Sequence, residues 1–315
     1  MKIVFMGTSE YSAKHLEEII KAGFNVVGVV SQPDKPAGRG LKLRPTPVKQ
    51  VTLRYDLPIY QPLKINSGDG WKVLKSLDPD VIIVVSYGKI LKKNILELPK
   101  YGCYNVHPSL LPKYRGTTPI RRALENGEKM TGVTIFKLDE GIDTGPIAMQ
   151  KAICISIDDT YGTLNEKLTE LGCKMLVEFL KDLENGKVEL KPQIGKASYS
   201  DKISKKELFI DWNQSGFKIF NKTRAFDPTP GVRSKLNGKL FKFFGAILEE
   251  RKLENDHIPG QVVDIDKKVI TIACGNGRDL VKFKRLQPSG KRIMNPIELK
   301  NGRIIKKGDI FSSEN

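Results

Sequence analysis

Cysteine and histidine are scarce in this 315-residue sequence, which has only four and three of them. The four cysteines form no C-x-x-C pair; they are Cys103, Cys154, Cys173 and Cys274. This wide spacing argues against a disulfide framework and against a structural zinc site. We therefore predict no metal, and we expect the protein to work in the reducing cytoplasm.

Long hydrophobic runs are also missing. No apolar stretch approaches the roughly 18–20 residues that a membrane-spanning helix needs. The first ten residues, MKIVFMGTSE, contain too short an apolar stretch and too early a glutamate for a secretory signal. We expect no membrane partner.

The glycine-rich motifs that hold phosphates are absent. Gly7 follows the first apolar run as in a dinucleotide-binding turn, but residues 7–12 read GTSEYS and hold one glycine where G-x-G-x-x-G needs three. No G-x-x-x-x-G-K-[ST] sequence occurs either. Without these glycines the backbone cannot approach a pyrophosphate closely in the usual way, so a nicotinamide or flavin site is not predicted.

Acidic residues are too few to balance the basic ones. The chain has 53 Lys and Arg against 36 Asp and Glu, a net charge of +17. Residues 200–315 carry 24 basic and 14 acidic side chains, so +10 of the excess falls in the last third. Such a surface indicates either a polyanionic partner, bound with counterion release, or a general lysine bias that only aids solubility.

The order of apolar runs predicts an α/β fold. A buried strand at 2–7, a helix that Ser9 can cap and a second buried strand at 25–31 form a βαβ opening, which is typical of a Rossmann-like, doubly wound, mainly parallel sheet. After residue 190 the pattern becomes polar and then changes to short alternating runs, which predict a small OB-like β-barrel. We predict a catalytic domain over 1–190, a linker over 191–207 and a C-terminal domain over 208–315.

One long loop is strongly basic. Residues 31–49, SQPDKPAGRGLKLRPTPVK, are too rich in Pro and Gly for a helix or a central strand. The loop holds Arg39, Lys42 and Arg44 and only one acidic residue, Asp34. These cations suit phosphate contacts in a nucleic acid, although a solvated loop would explain the same composition.

Two polar segments suggest a chemical centre. Asn105 and His107 end a predicted buried strand, and they project to the same side if the strand continues through them. Asp143 lies between two glycines in the segment DEGIDTG, residues 139–145. An amide donor, an imidazole and a carboxylate fit acyl transfer without a covalent enzyme intermediate. A structural histidine and a tight acidic turn remain the alternatives at this point.

The residues around this centre resemble the folate-dependent formyltransferases. The sequence from Asn105 to Gly116, NVHPSLLPKYRG, is similar to that family's signature, and DEGIDTG has the spacing of its second motif. The resemblance implies catalytic roles for Asn105, His107 and Asp143. It also implies a folate site at Ser109, Leu110, Leu111 and Pro112, with a pterin-lining segment at Tyr87, Gly88, Lys89 and Ile90. The donor would be 10-formyltetrahydrofolate.

Within this family the chain is similar to the enzymes that formylate initiator methionyl-tRNA. The resemblance assigns the basic loop, with Arg39, Lys42 and Arg44, to the tRNA acceptor stem. We also expect a monomer. Asp227 and Thr229 depart from the expected R-A-F-N-P-W-P-G pattern. A formyltransferase acting on a nucleotide sugar or glycinamide ribonucleotide, and a tRNA-binding module without catalysis, remain the alternatives.

Overall fold

A computed structural model describes residues 1–37, 42–249, 254 and 256–313. Its residues group into two compact units. The first unit comprises Met1–Gly116, Thr131–Ile153 and Glu166–Tyr199, and the second comprises Thr117–Met130, Cys154–Asn165 and Ser200–Asn315. The boundaries at residues 190 and 207 given above stay a prediction.

The secondary structure alternates strands and helices in the first half and is mostly strands in the second. The strands are β1 (Ile3–Gly7), β2 (Val26–Val30), β3 (Lys35–Ala37), β4 (Lys42–Arg44), β5 (Ile59–Tyr60), β6 (Val81–Val85), β7 (Cys103–His107), β8 (Arg115–Gly116), β9 (Met130–Lys137), β10 (Ile147–Cys154), β11 (Tyr199–Ser200), β12 (Val232–Leu236), β13 (Lys239–Glu249), β14 (Val262–Ile265), β15 (Ile270–Cys274) and β16 (Asp279–Pro288). The helices are α1 (Glu10–Lys21), α2 (Pro47–Arg54), α3 (Gly68–Leu77), α4 (Lys93–Leu96), α5 (Pro119–Glu125), α6 (Tyr161–Glu184), α7 (Gly216–Ala225) and α8 (Pro296–Asn301), with a 3₁₀ turn at Lys206–Leu208.

A seven-stranded sheet forms the first unit, in the order β10-β9-β7-β6-β1-β2-β5. The pairings of β1 with β2 and β6, of β2 with β5 and of β6 with β7 are parallel, whereas β9 runs antiparallel to β7. The chain first builds outward from β1 through β2 to β5 and then continues on the other side of β1 with β6 and β7. This reversal opens a crevice beyond the carboxyl ends of β1 and β6, where ligands bind in sheets of this kind.

The apolar runs form the strands because both faces of the sheet are covered. All residues of β1 and β6 are buried, and they pack with side chains of α3 and of the segment after β6. Ser9 caps α1 as predicted, since its side chain accepts the N–H of Ser12.

Among the described residues, no helix is long and apolar enough to cross a membrane.

The second unit contains a five-stranded antiparallel sheet, in the order β12-β13-β16-β15-β14. Lys235 of β12 bridges to Ser312, and Gln261, just before β14, bridges to Ile310. The C-terminal segment therefore contacts both edges of the sheet, at β12 and next to β14, and closes the sheet toward a barrel. Trp212 is fully buried inside it, edge-on to two phenylalanine rings. The predicted fold class, a Rossmann-like sheet followed by a small β-barrel, is confirmed.

The basic loop contains a short ribbon instead of being irregular throughout. β3 and β4 pair antiparallel, with Lys35 opposite Arg44. At the base of this ribbon, Asp34 accepts hydrogen bonds from Lys49 at 2.6 Å and Gln61 at 2.7 Å. These contacts hold both ends of the segment against the sheet unit.

Candidate active site

The carboxyl end of β7 carries the two polar residues predicted for catalysis. Both Asn105 and His107 lie within the strand, so their side chains share one face of the sheet. His107 is 4% exposed, whereas Asn105 is half-buried. Within the described residues the Asn105 carboxamide has no hydrogen-bond partner, so its donors remain available to a substrate.

His107 is fixed in one orientation by backbone. Its Nε2 lies 2.9 Å from the carbonyl oxygen of Tyr114. Because a carbonyl can only accept, Nε2 carries a hydrogen and donates it. In the neutral ring, Nδ1 therefore carries the lone pair, and it lies 3.6 Å from Oδ2 of Asp143. This separation is too long for a direct hydrogen bond and short enough for a strong interaction between the charged forms.

Asp143 is presented by a compact loop. Its Oδ2 accepts the N–H of Gly116 at 2.7 Å, and its own backbone has a φ of 53°, in the left-handed region. Gly145 is needed close by, because a Cβ there would lie 1.8 Å from the carbonyl oxygen of Lys137. Asp139 organises the start of the loop by accepting from Thr144 Oγ1 at 2.6 Å. Glycine at position 145 thus lets the loop pack closely against Lys137 while the Asp143 carboxylate reaches Gly116.

The segment Ser109–Pro112 follows β7 directly and folds back on β9. Thr134 Oγ1 donates to the Ser109 carbonyl at 2.6 Å and accepts the N–H of Leu111 at 3.2 Å. Gln150 donates to Thr134 Oγ1 at 2.8 Å and to the Leu111 carbonyl at 3.0 Å. Ser109 is itself buried, and its hydroxyl donates to the carbonyl of Lys113. The shape of the segment predicted to bind folate is thus set by two polar side chains on β9 and β10.

The segment Tyr87–Ile90 leaves β6 at the crevice. The Tyr87 side chain is 1% exposed and lies in the core, and burial raises the pKa of its phenol to about 12. Its carbonyl faces the other way and accepts from Gln32 Nε2 at 3.2 Å. A Cβ at Gly88 would meet nothing within 4 Å, so there is open space beside this backbone. Lys89 Nζ donates to the carbonyl of Leu63 at 2.5 Å. This segment offers backbone and not the tyrosine ring to the crevice.

The residues predicted to contact tRNA are only partly described. Arg39 lies outside the described residues, and so does the side chain of Lys42, whose backbone belongs to β4. Arg44 is exposed at the end of the same strand. The assignment of these three residues stays a prediction.

The two departures from the family pattern have different surroundings. Asp227 is 4% exposed, and its Oδ2 accepts the N–H of Gly245 at 2.6 Å. Its Oδ1 lies 3.6 Å from Nη2 of Arg285, which supplies the opposite charge. The buried Asp227 carboxylate is thus both hydrogen-bonded and paired with a cation, as a buried charge requires. Thr229, in contrast, is exposed.

Motifs do not predict the supporting roles of several groups. Tyr114 and Gly116 contact His107 and Asp143 through backbone atoms, which are the same for every residue type. Thr134 lies in an apolar run, where a polar residue is the one feature of the sequence that indicates a role. No group of three or more His, Cys, Asp or Glu within the described ranges could hold a metal ion.

Comparison with known proteins identifies the family. The formyl transferase family matches residues 1–180, and its C-terminal domain matches residues 202–303. The chain is 51% identical over 309 residues to the methionyl-tRNA formyltransferase of Kosmotoga olearia, covering 98% of both chains. It is 48% identical over 312 residues to that of Thermotoga maritima, covering 99% of this chain and 98% of the relative.

Solved structures share the fold. An N-formyltransferase from Helicobacter canadensis, in complex with folinic acid and dTDP-3-aminofucose, aligns over 90% of this chain and 99% of its own, with a TM-score of 0.67 and 20% identity. HypX from Aquifex aeolicus, in complex with tetrahydrofolic acid, aligns over 99% of this chain at a TM-score of 0.65 and 17% identity. The chain spans about half the length of HypX, 50%. The family matches over residues 1–180 and 202–303, together with the relatives of about 50% identity, establish that the chain belongs to the formyl transferase family.

Proposed function

We propose that this protein transfers the formyl group of 10-formyltetrahydrofolate to the α-amino group of methionine on initiator methionyl-tRNA, for translation initiation. The observation that carries the proposal is the 51% identity to a methionyl-tRNA formyltransferase over 98% of both chains. The match includes the C-terminal domain, which contributes +10 of the net charge within residues 200–315. A positively charged domain of this kind suits a tRNA partner.

The chemistry follows from the three polar side chains. The neutral amine attacks the formyl carbon and forms a new C–N bond, which places negative charge on the formyl oxygen. The free carboxamide of Asn105 donates to this oxyanion, and His107 assists through Nδ1, since Nε2 is held by Tyr114. Asp143 faces that same nitrogen and stabilises its protonated form.

Collapse of the intermediate breaks the bond between the formyl carbon and N10 of the folate. The attacking amine loses one proton and N10 gains one, so the reaction is balanced without another reactant. His107 and Asp143 provide the groups through which this proton moves, directly or by water. Tetrahydrofolate leaves, and formylmethionyl-tRNA is the second product.

The remaining assignments concern substrate binding. Ser109–Pro112 and the backbone of Tyr87–Ile90 bind the folate, and Arg39, Lys42 and Arg44 bind phosphates of the tRNA. The protein acts in the cytoplasm as a monomer. The exposed position of Arg44 supports the tRNA assignment.

A transfer assay tests this proposal. The purified protein is incubated with 10-formyltetrahydrofolate and initiator methionyl-tRNA, with free methionine, glycinamide ribonucleotide and an amino-sugar nucleotide in parallel reactions. Formylation of methionyl-tRNA alone is expected. Transfer to a small amine with none to methionyl-tRNA would refute the substrate, and folate binding without transfer to any acceptor would refute the catalytic role.

A further inference from the structure

Gln193 lies in the segment predicted to be a linker, yet it contacts the Asp143 loop. Its Nε2 donates to the carbonyl of Asp143 and to the carbonyl of Gly145, both at 2.8 Å. Its Oε1 accepts from Arg115, at 2.7 Å from Nη2 and 3.2 Å from Nε. A single amide thus ties two carbonyl groups of the loop to a guanidinium on the opposite side.

The partner of Gln193 is the middle residue of a short brace. Arg115 stands between Tyr114, whose carbonyl holds His107, and Gly116, whose N–H holds Asp143. Through Arg115, the contacts of Gln193 therefore join the Asp143 loop to the short stretch whose two outer residues, Tyr114 and Gly116, contact the catalytic side chains. A shift of this loop changes the 3.6 Å separation of Nδ1 and Oδ2 directly.

The position of Gln193 is fixed independently of these contacts. Lys191 pairs with Ile147 of β10 through two backbone hydrogen bonds, of 2.7 and 2.8 Å. The backbone two residues before Gln193 is thereby anchored to β10, and the Gln193 side chain is half-buried. Asp143 has a left-handed backbone conformation, which costs free energy for a residue other than glycine and has to be held by its surroundings.

We infer that Gln193 is a positioning residue for catalysis, which holds Asp143 at the working distance from His107. This inference rests on the proposed function. We expect folate and tRNA binding to be little affected by changes at Gln193, because its amide is engaged by the loop and by Arg115. Without the two donors the carboxylate can move, and a displacement of about 1 Å at a reacting group can cost about 100-fold in rate.

The test compares three variants in single-turnover transfer to methionyl-tRNA at saturating folate. Gln193→Glu keeps an acceptor for Arg115 and removes both donors, whereas Gln193→Ala removes the acceptor as well. Asn185→Asp is the matched control, since Asn185 is an exposed amide of the same unit that donates to the Lys181 carbonyl at 2.9 Å. We expect both Gln193 variants to lose about 10- to 100-fold in rate, with KM for folate and tRNA within about twofold of wild type, and the control to be unchanged.

A double-mutant cycle separates positioning from general structural damage. If Gln193 acts through Asp143, Gln193→Glu costs less than about threefold in an Asp143→Asn background. An equal loss in both backgrounds, or a normal rate for Gln193→Glu alone, would overturn the inference. If Gln193→Ala does not fold, the Glu variant and its melting temperature decide. Failure of the wild-type protein to formylate methionyl-tRNA would instead refute the proposed function.

Discussion

Replacing Asp143 by asparagine removes one negative charge from the site and leaves the shape of the side chain almost unchanged. The carboxylate is 14% exposed and lies 3.6 Å from His107 Nδ1, whose ring is 5% exposed. With an effective dielectric constant of about 20, the attraction between an imidazolium and a carboxylate at this distance is about 4–5 kcal/mol. Because this charge pair forms fully only when the ring is protonated, the figure is an upper bound on the loss in the transition state.

We therefore expect Asp143→Asn to lower the single-turnover rate by about 10²- to 10³-fold. The amide oxygen can still accept the N–H of Gly116, so the loop is expected to keep its place. Because Oδ2 makes both contacts, the same amide oxygen then faces Nδ1 with only a partial negative charge, which stabilises the protonated ring less than a carboxylate does. Both effects direct the loss to the chemical step.

The assay is rapid-quench transfer to methionyl-tRNA at saturating folate, with folate and tRNA affinities and the melting temperature measured on the same preparation. Equal affinities and an unchanged melting temperature, together with the slower rate, are expected. A rate within about threefold of wild type would refute the role of the charge. A loss of activity that is explained by unfolding would make Asp143 a structural turn residue.

Three further predictions concern other parts of the chain. His107→Ala should lower the transfer rate by roughly 10²- to 10⁴-fold with folate and tRNA binding retained, and near-normal single-turnover transfer by the folded variant would contradict its role. Lys42→Ala with Arg44→Ala should reduce the salt slope of log tRNA affinity by about 0.7–0.9 for each phosphate that is no longer bound, while folate affinity stays constant; equal slopes in a salt titration would exclude such binding. Burial lowers the pKa of His15 from 6.5 to about 4. As the pH falls between these values, the unfolded chain takes up a proton that the folded protein does not, so the free energy of unfolding falls, by about 2 kcal/mol at pH 5. Urea unfolding at pH 8 and pH 5 checks this, because the stability of the wild type relative to His15→Leu should fall by that amount, and a difference independent of pH would contradict it.

Sequence patterns predicted those features that depend on local order. The strand ending at His107 is marked by apolar residues and by the proline that follows it. Asn105 precedes His107 by two positions, which predicts that both side chains lie on the same face. Asp143 was found because glycines surround it. The contacts of Gln193 could not be predicted, since it meets Asp143 across 50 positions of the chain and lies in a polar stretch without a period. The hold of Tyr114 on His107 is a main-chain contact, which no residue type encodes.

The contacts of Tyr114 with His107 and of Gly116 with Asp143 are both made by main-chain atoms. Substituting the Tyr114 side chain leaves the carbonyl that holds His107 in place, so an alanine scan would pass over this contact. Altering the length of the chain would not be tolerated in the same way. One residue inserted between Pro112 and Thr117 would shift the register of both contacts together, and the imidazole and the carboxylate would lose their common support. We expect this stretch to reject insertions and deletions, whereas the contact with His107 is expected to survive a change of the Tyr114 side chain.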